Sequence, residues 1–342
     1  MNIEEYAQIR KNYVSLVDRS YKHYRSTLNK YEQEIYDVIF GAILSFKDKV
    51  QIKNLRISPK RLFDIYEYVK KDIPFFFFLK GESSYTTRNN NVDFKFPFKM
   101  DAKQILDYSY AIMLKLLEYQ VVCKNKSNLQ KITYVHNKIV LNTLYSKGVE
   151  DPYSAYSVLV LGKGVCAGYA KALKLVLDAV GVNSLYVSGH VIGGSANGHA
   201  WNMVDIGGNS FYHVDATFDD SMQDKNIISY DHFILTDEQM RETHIFNMGN
   251  FRTPTKEIDY FTAAKRCYSD FDTFREDLIE VFKNEEETFY FRFDRTFDYD
   301  EVEEEIREII QEVLRSYRFN VNQWRYYSNK DRNTLYFTIE YR

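Results

Sequence analysis

Residues 199–217 constrain this chain more than any other stretch. Two β-prone runs, His199-Ala200-Trp201-Asn202-Met203-Val204-Asp205-Ile206 and Ser210-Phe211-Tyr212-His213-Val214-Asp215-Ala216-Thr217, flank Gly207-Gly208-Asn209. That pattern predicts a hairpin. Side chains alternate faces along a strand, so His199, Trp201 and Met203 share one face, as do Phe211, His213 and Asp215. With the turn at 207–209, Ile206 pairs with Ser210 and Trp201 with Asp215. His199 then becomes a diagonal neighbour of Asp215, within side-chain reach. A slip of one residue sends the two side chains to opposite faces.

Upstream, Gly164-Val165-Cys166-Ala167-Gly168-Tyr169-Ala170 opens an amphipathic segment in which Ala170, Leu173, Val176, Leu177 and Val180 recur at helical spacing. Gly181 follows as a C-terminal stop. The glycine before Cys166 permits a tight turn, which places the thiol in the first helical turn. There the unpaired N–H groups and the helix dipole favour a thiolate. The motif alone also fits a packed structural cysteine, since free cysteine is among the most buried residue types. Residues 184–190 read as a short strand and 191–198 as a glycine-rich loop. Attack on an amide carbonyl needs a thiolate, an imidazole to pair with it and protonate the leaving amine, and a carboxylate to orient the imidazole. A helix-borne cysteine with His and Asp on adjacent strands meets all three needs.

Three motifs in this order, Gly164 to Ala170, His199-Ala200-Trp201-Asn202 and Val214-Asp215-Ala216-Thr217-Phe218, closely resemble the core of the transglutaminase-like superfamily, papain-related thiol enzymes. The flanks resemble its bacterial stand-alone members: His136-Asn137-Lys138-Ile139 and Tyr156-Ser157-Val158-Leu159 upstream, His232-Phe233-Ile234-Leu235-Thr236-Asp237 and Thr243-His244 downstream. The resemblance covers residues 132–250. It implies a catalytic triad of nucleophile Cys166, base Cys-paired His199 and orienting carboxylate Asp215. The implied reaction is cysteine-dependent acyl transfer on an amide through a thioester. A hydrolase (peptidase or amidase) ranks ahead of a protein-glutamine transglutaminase or deamidase, because water needs no second substrate pocket. The competing reading is a catalytically idle interaction module that binds protein or cell-wall partners. The backbone N–H of Cys166 is one oxyanion donor. A papain-like glutamine six residues before the cysteine is absent, that position being Val160. Tyr156 and Ser157 are the side-chain candidates for substrate or oxyanion contacts. Trp201 either shields the thiolate–imidazolium pair or fills the core.

Length and composition bound the remainder. At 342 residues the chain exceeds one ordinary domain, and 45% hydrophobic with 27% charged residues marks it as globular. A net charge of −3 offers no general pull toward nucleic acid or anionic membrane. Cys123, Cys166 and Cys267 lie far apart, without the spacing of a disulfide framework or zinc knuckle. Neither a metal nor a cofactor is expected, and the spacing of Cys166, His199, His213 and Asp215 matches no zinc pattern. No apolar signal region or membrane-length run is visible, so the expectation is a cytoplasmic protein with a protein or peptide substrate, its oligomeric state left open.

The expected fold class is α+β, with three parts. Residues 1–126 are mainly helical, 127–250 form the transglutaminase-like domain with its helix-borne Cys packed on an antiparallel sheet, and 251–342 form a small α+β domain. Helices are expected at 35–46, 59–71, 101–118 and 129–145, the last two opened by the capping boxes Asp101/Gln104 and Ser127/Gln130. Phe75-Phe76-Phe77-Phe78 and 92–98 read as a small hairpin. Asp219-Asp220-Ser221 reads as a solvated turn, His136 as a core or boundary histidine and His190 as a surface one. Toward the C-terminus the order is helix 271–282, strand 287–293, helix 299–317 and strands 320–327 and 334–341.

Overall fold

Capping chemistry sets the helices that precede the nucleophile motif. Reciprocal boxes, Asn2 with Glu5, Asn29 with Glu32, Asp101 with Gln104 and Ser127 with Gln130, open Ile3–Arg19, Lys30–Leu44, Ala102–Cys123 and Asn128–Asn142. Ser58 caps Pro59–Asp72, with Pro at the first position. These features come from a computed structural model that describes residues 2–194, 198–220, 227–249, 251–294 and 296–342. The helix from Ala102 runs past residue 118 to Cys123. The one from Asn128 stops at Asn142, because Leu144–Tyr145 pairs in parallel with Lys163–Gly164 instead.

The expected strand at residues 75–78 is corrected. Phe75, Phe76, Phe77 and Phe78 are all buried, in turns rather than a strand. A strand would send alternate rings to opposite faces, so four consecutive rings cannot enter one core that way. The hairpin lies instead at Ser84–Arg88 and Asn91–Lys95, with Lys49–Ile52 on the other side of the latter.

The helix Cys166–Ala179 is buried along nearly its whole length. It packs against a five-stranded antiparallel sheet in the order His244–Ile245, Ser184–Val191, His199–Asp205, Phe211–Val214, Phe233–Leu235. Asn202 ties helix to sheet, its Nδ2 donating to Ala170 O at 2.9 Å and Leu185 O at 3.1 Å. Lys174 provides a second tie. Its ammonium donates to Asp178 Oδ2 at 2.9 Å, Ser184 O at 2.7 Å and Tyr21 O at 3.0 Å.

The two sheet faces carry different cores. Val204, Tyr212 and Val214 join the large core shared with the helix and the preceding helices. Leu185, Val187, Trp201, Met203, Phe211 and Leu235 pack on the opposite face with Met240 and Phe246. The hairpin register is the expected one: Asp205 faces Phe211, Met203 faces His213, and Ile206 N–H donates to Ser210 O at 3.1 Å. The C-terminal helices Phe271–Lys283 and Tyr299–Tyr317 and strands Thr288–Phe293, Val321–Asn329 and Thr334–Tyr341 follow the expected order. One face of that sheet has its own core of Phe274, Phe289, Phe291, Ile306 and Phe337. Its other face contributes Tyr290 and Tyr336 to the large core. Among the described residues no helix is long and apolar enough to cross a membrane.

Candidate active site

Cys166 is the first residue of its helix, and Val165 ahead of it provides no side-chain cap among the described residues. The first-turn N–H groups therefore remain without a side-chain acceptor, the arrangement that favours negative charge at that end. The helix start is seated closely on the preceding loop. A Cβ on Gly168 would lie 2.5 Å from Pro152 O and 3.2 Å from Ser154 O, so only glycine fits there.

The hairpin delivers the other two groups. His199 opens its strand, and Asp215 directly follows the facing strand. His199 Nε2 lies 2.5 Å from Asp215 Oδ2. The other ring nitrogen is left for Cys166, which is near enough that His199 and the Ala200 backbone N–H favour its thiolate and it in turn favours the charged ring. Asp215 is the N-cap of the turn Ala216–Asp219, its Oδ1 accepting from Thr217 N at 3.0 Å and Phe218 N at 3.1 Å. The carboxylate is thus fixed by backbone on one oxygen and presents the other to imidazole.

Burial works against each charge, and the neighbours outweigh it. Burial pushes the Cys166 thiol up, but the hydrogen bond and charge of His199 and the Ala200 N–H bring it below the ordinary thiol value. For His199, burial favours the neutral ring, yet Asp215 and Cys166 raise it to about 10. Burial also opposes ionisation of Asp215, and the His199 and His244 partners hold it well below the usual carboxylate range. Cys166 is partly exposed and the His199 side chain is 9% exposed, so the pair reaches solvent while Asp215 does not. Trp201 stacks on the His199 ring, centroids 5.8 Å apart at 22°. A Cβ on Gly189 would lie 2.8 Å from the Trp201 ring, so glycine lets the indole lie across the neighbouring strand.

The remaining sequence candidates have other partners. Trp201 Nε1–H donates to His213 Nδ1 at 2.9 Å, and His213 Nε2 lies 2.9 Å from Asp237 Oδ1. Ser157 is buried and its hydroxyl donates to Asp151 O at 2.6 Å. Tyr156 stacks on Tyr108, centroids 4.4 Å apart, and the two line a cavity of about 620 Å³ with Lys99 and Gln104. His190 is exposed on its strand. His136 is fully buried, with Nε2 3.0 Å from Asp219 Oδ2. The reading of Asp219 as part of a solvated turn is therefore corrected: it is fully buried, because it partners His136 and the His232 backbone N–H. Ser221 lies outside the described residues.

One contact to the Asp215 carboxylate went unassigned in the sequence. His244 Nε2 lies 3.1 Å from Asp215 Oδ2. Its two-residue edge strand is too short for any alternation to mark it. His199, Asp215 and His244 form a cluster of the types that bind metal. Their separations are those of hydrogen bonds, however. A tetrahedral ion at ~2.0–2.1 Å from each ligand would hold the ligand atoms about 3.3 Å apart. Two imidazoles sharing one carboxylate account for the cluster without an ion.

Comparison with known proteins agrees with this geometry in the middle of the chain. Residues 116–216 match the family model of the transglutaminase-like superfamily. Among solved structures, similarity extends to a candidate cysteine protease from Cytophaga hutchinsonii, at 17% identity over 40% of this chain and 61% of that one, TM-score 0.28. A TGase is similar at 12% identity over 49% of this chain and 50% of that one, TM-score 0.29. Each alignment thus spans less than two thirds of the other protein. A search of curated proteins returns no match. The similarity to the transglutaminase-like superfamily thus lies in the stretch 116–216, which contains Cys166, His199 and Asp215.

Proposed function

We propose that this chain catalyses cysteine-dependent acyl transfer on an amide, with Cys166 as nucleophile, His199 as acid and base, and Asp215 orienting His199. The observation that carries the reading is the His199–Asp215 pair at 2.5 Å, next to a thiol at a helix start without a side-chain cap whose ionisation His199 favours. The Cys166 thiolate attacks the carbonyl carbon, and the backbone N–H of Cys166 receives the developing oxyanion. Collapse breaks the C–N bond, and His199 hands its proton to the departing amine. The acyl group remains on sulfur as a thioester. Water, deprotonated by His199, then attacks the thioester, releases the acid and restores the thiol. An amine in place of water gives a transamidated product.

Hydrolysis ranks first, as a peptidase or amidase acting on protein or peptide, because water needs no second substrate pocket. Residues 127–250 form the catalytic part in this reading, with 1–126 and 251–342 flanking it and selecting substrate. A reducing compartment such as the cytoplasm suits three cysteines that are all free, one of them exposed. The test is turnover of glutamine-containing peptides by the full chain, with and without a primary amine, beside Cys166→Ala. Acid product without amine dependence supports the hydrolase, and amine incorporation supports the transferase. Activity that survives Cys166→Ala would sink the mechanism.

A further inference from the structure

We propose that His244 is a positioning residue of this site: its Nε2–H shares Oδ2 of Asp215 with His199 and so limits how strongly the carboxylate holds the His199 proton. The inference rests on the reading of Cys166, His199 and Asp215 as the reacting groups.

Asp215 uses its full acceptor capacity. Oδ1 takes two backbone N–H groups, and Oδ2 takes His199 at 2.5 Å and His244 at 3.1 Å. Both Asp215 and His244 are closed to solvent. Without His244, Oδ2 would face His199 alone in a site that water does not reach, and would hold its proton harder. That matters because His199 must accept a proton from Cys166 and later release one to the leaving amine. A base that never lets go of its proton performs only half of that task.

An ionised carboxylate only accepts, so the contact of His244 Nε2 with Asp215 Oδ2 calls for a hydrogen on that nitrogen. The Thr243 hydroxyl lies 2.8 Å from His244 Nδ1 and can donate to it, leaving the hydrogen on Nε2. Thr243 Oγ1 in turn lies 3.3 Å from His232 Nε2. Burial holds His232 neutral, down to about 3, so that ring donates a single hydrogen. The Thr243 hydroxyl thus links the His232 ring to the His244 ring, whose Nε2 faces Asp215. Titratable groups face His244 from several elements: His199 from its strand, His213 from the facing strand, Asp215 from the turn, and His232 from the segment before Phe233–Leu235. Trp201 and Phe218 fill the rest of its surroundings, with centroids 4.9 Å and 4.8 Å away.

The experiment is the rate of Cys166 alkylation by iodoacetamide across pH, in the full chain, for wild type, His244→Leu and His244→Gln, with His199→Ala as reference. The upper inflection of that profile reports loss of the His199 proton. His244→Leu is expected to move it up by about one pH unit, the scale of one lost hydrogen bond to a charged group. His244→Gln keeps an N–H near the Nε2 position and is expected to stay with wild type. A packing role alone would lower the melting temperature of both and move neither inflection. An unmoved inflection in His244→Leu, or an equal shift in both variants, overturns the proposal. Should His244→Leu fail to fold, long-range 1H–15N spectra of the unmodified chain decide: a hydrogen on His244 Nε2 supports the proposal, and one on Nδ1 alone overturns it. An ordinary Cys166 unaffected by His199→Ala would instead remove the triad reading, and this inference with it. A normal His199→Ala contrast with silent His244 variants removes only the inference.

Discussion

His199 Nε2 and Asp215 Oδ2 stand 2.5 Å apart across the end of a hairpin, although they lie sixteen positions apart in the chain. The contact depends on strand register, and its two partners sit in different solvent: His199 at the edge of the site, Asp215 sealed beneath it. A sealed anion beside an imidazole favours the charged ring, and through it the charged thiolate. That chain of dependence has a direct pH consequence.

Cys166 is expected to alkylate with an apparent ionisation below the ~8.5 of an ordinary thiol, and His199→Ala is expected to return it toward that value. The sign follows from the shifts: the thiol is lowered and the imidazole raised to about 10, so the ion pair exists between those limits. At pH 6 the variant is expected to react roughly 10-fold or more slowly, by thiolate fraction alone. Peptide mass spectrometry after timed alkylation measures it.

Asp215→Asn keeps an oxygen for the Thr217 and Phe218 N–H groups while removing the charge next to His199. The side chain fits the same space, so the fold is expected to persist. Amide turnover is expected to fall by on the order of 10²–10⁴-fold, the range for losing an oriented acid–base partner. Kinetics on any peptide the wild type cleaves would show it, and an unchanged kcat would contradict it.

Gly168→Ala places a methyl against the carbonyls of Pro152 and Ser154, neither of which is a flexible side-chain end. Loop or helix must shift, at a cost of about 1–3 kcal/mol. Denaturant unfolding gives the energy. Slower alkylation of Cys166 in the folded variant would report displacement of the helix start.

Lys174→Met leaves the Asp178 carboxyl buried without its cation, which costs about 3–5 kcal/mol. Burial already raises Asp178 to about 6 against the pull of Lys174, and removing Lys174 raises it further. A raised carboxyl gives stability that is fully present below its unfolded value and lost as pH rises through its folded value. The deficit is therefore expected to be larger at pH 8 than at pH 5. Adding Asp178→Leu is expected to recover most of it, as read by chemical denaturation at both pH values.

Local rules carried much of the fold. Asp101 with Gln104 and Ser127 with Gln130 are nearest-neighbour chemistry and form as their spacing implies. The Gly207-Gly208-Asn209 turn sets a register from which the approach of His199 to Asp215 follows. What stayed hidden needs distant partners. Phe75 to Phe78 look β-prone by residue type, but burial of every ring selects turns. Asp219 looks like a solvated turn until His136, 83 positions earlier, arrives against it. His244 sits in two residues of edge strand, and only its pairing with Val191 turns it toward Asp215.

Trp201 and Trp324 are the only tryptophans in the chain. The first is buried and stacked on His199, and the second lies on the C-terminal strand Val321–Asn329. A protonated imidazole quenches indole emission at short range, and a neutral one does so far less. With Trp324→Phe, Trp201 is the one indole left, and its emission responds to protonation of the imidazoles around it, His199, His213 and His244. The indole that covers the candidate base thereby offers an optical view of the site that requires neither a substrate nor a label.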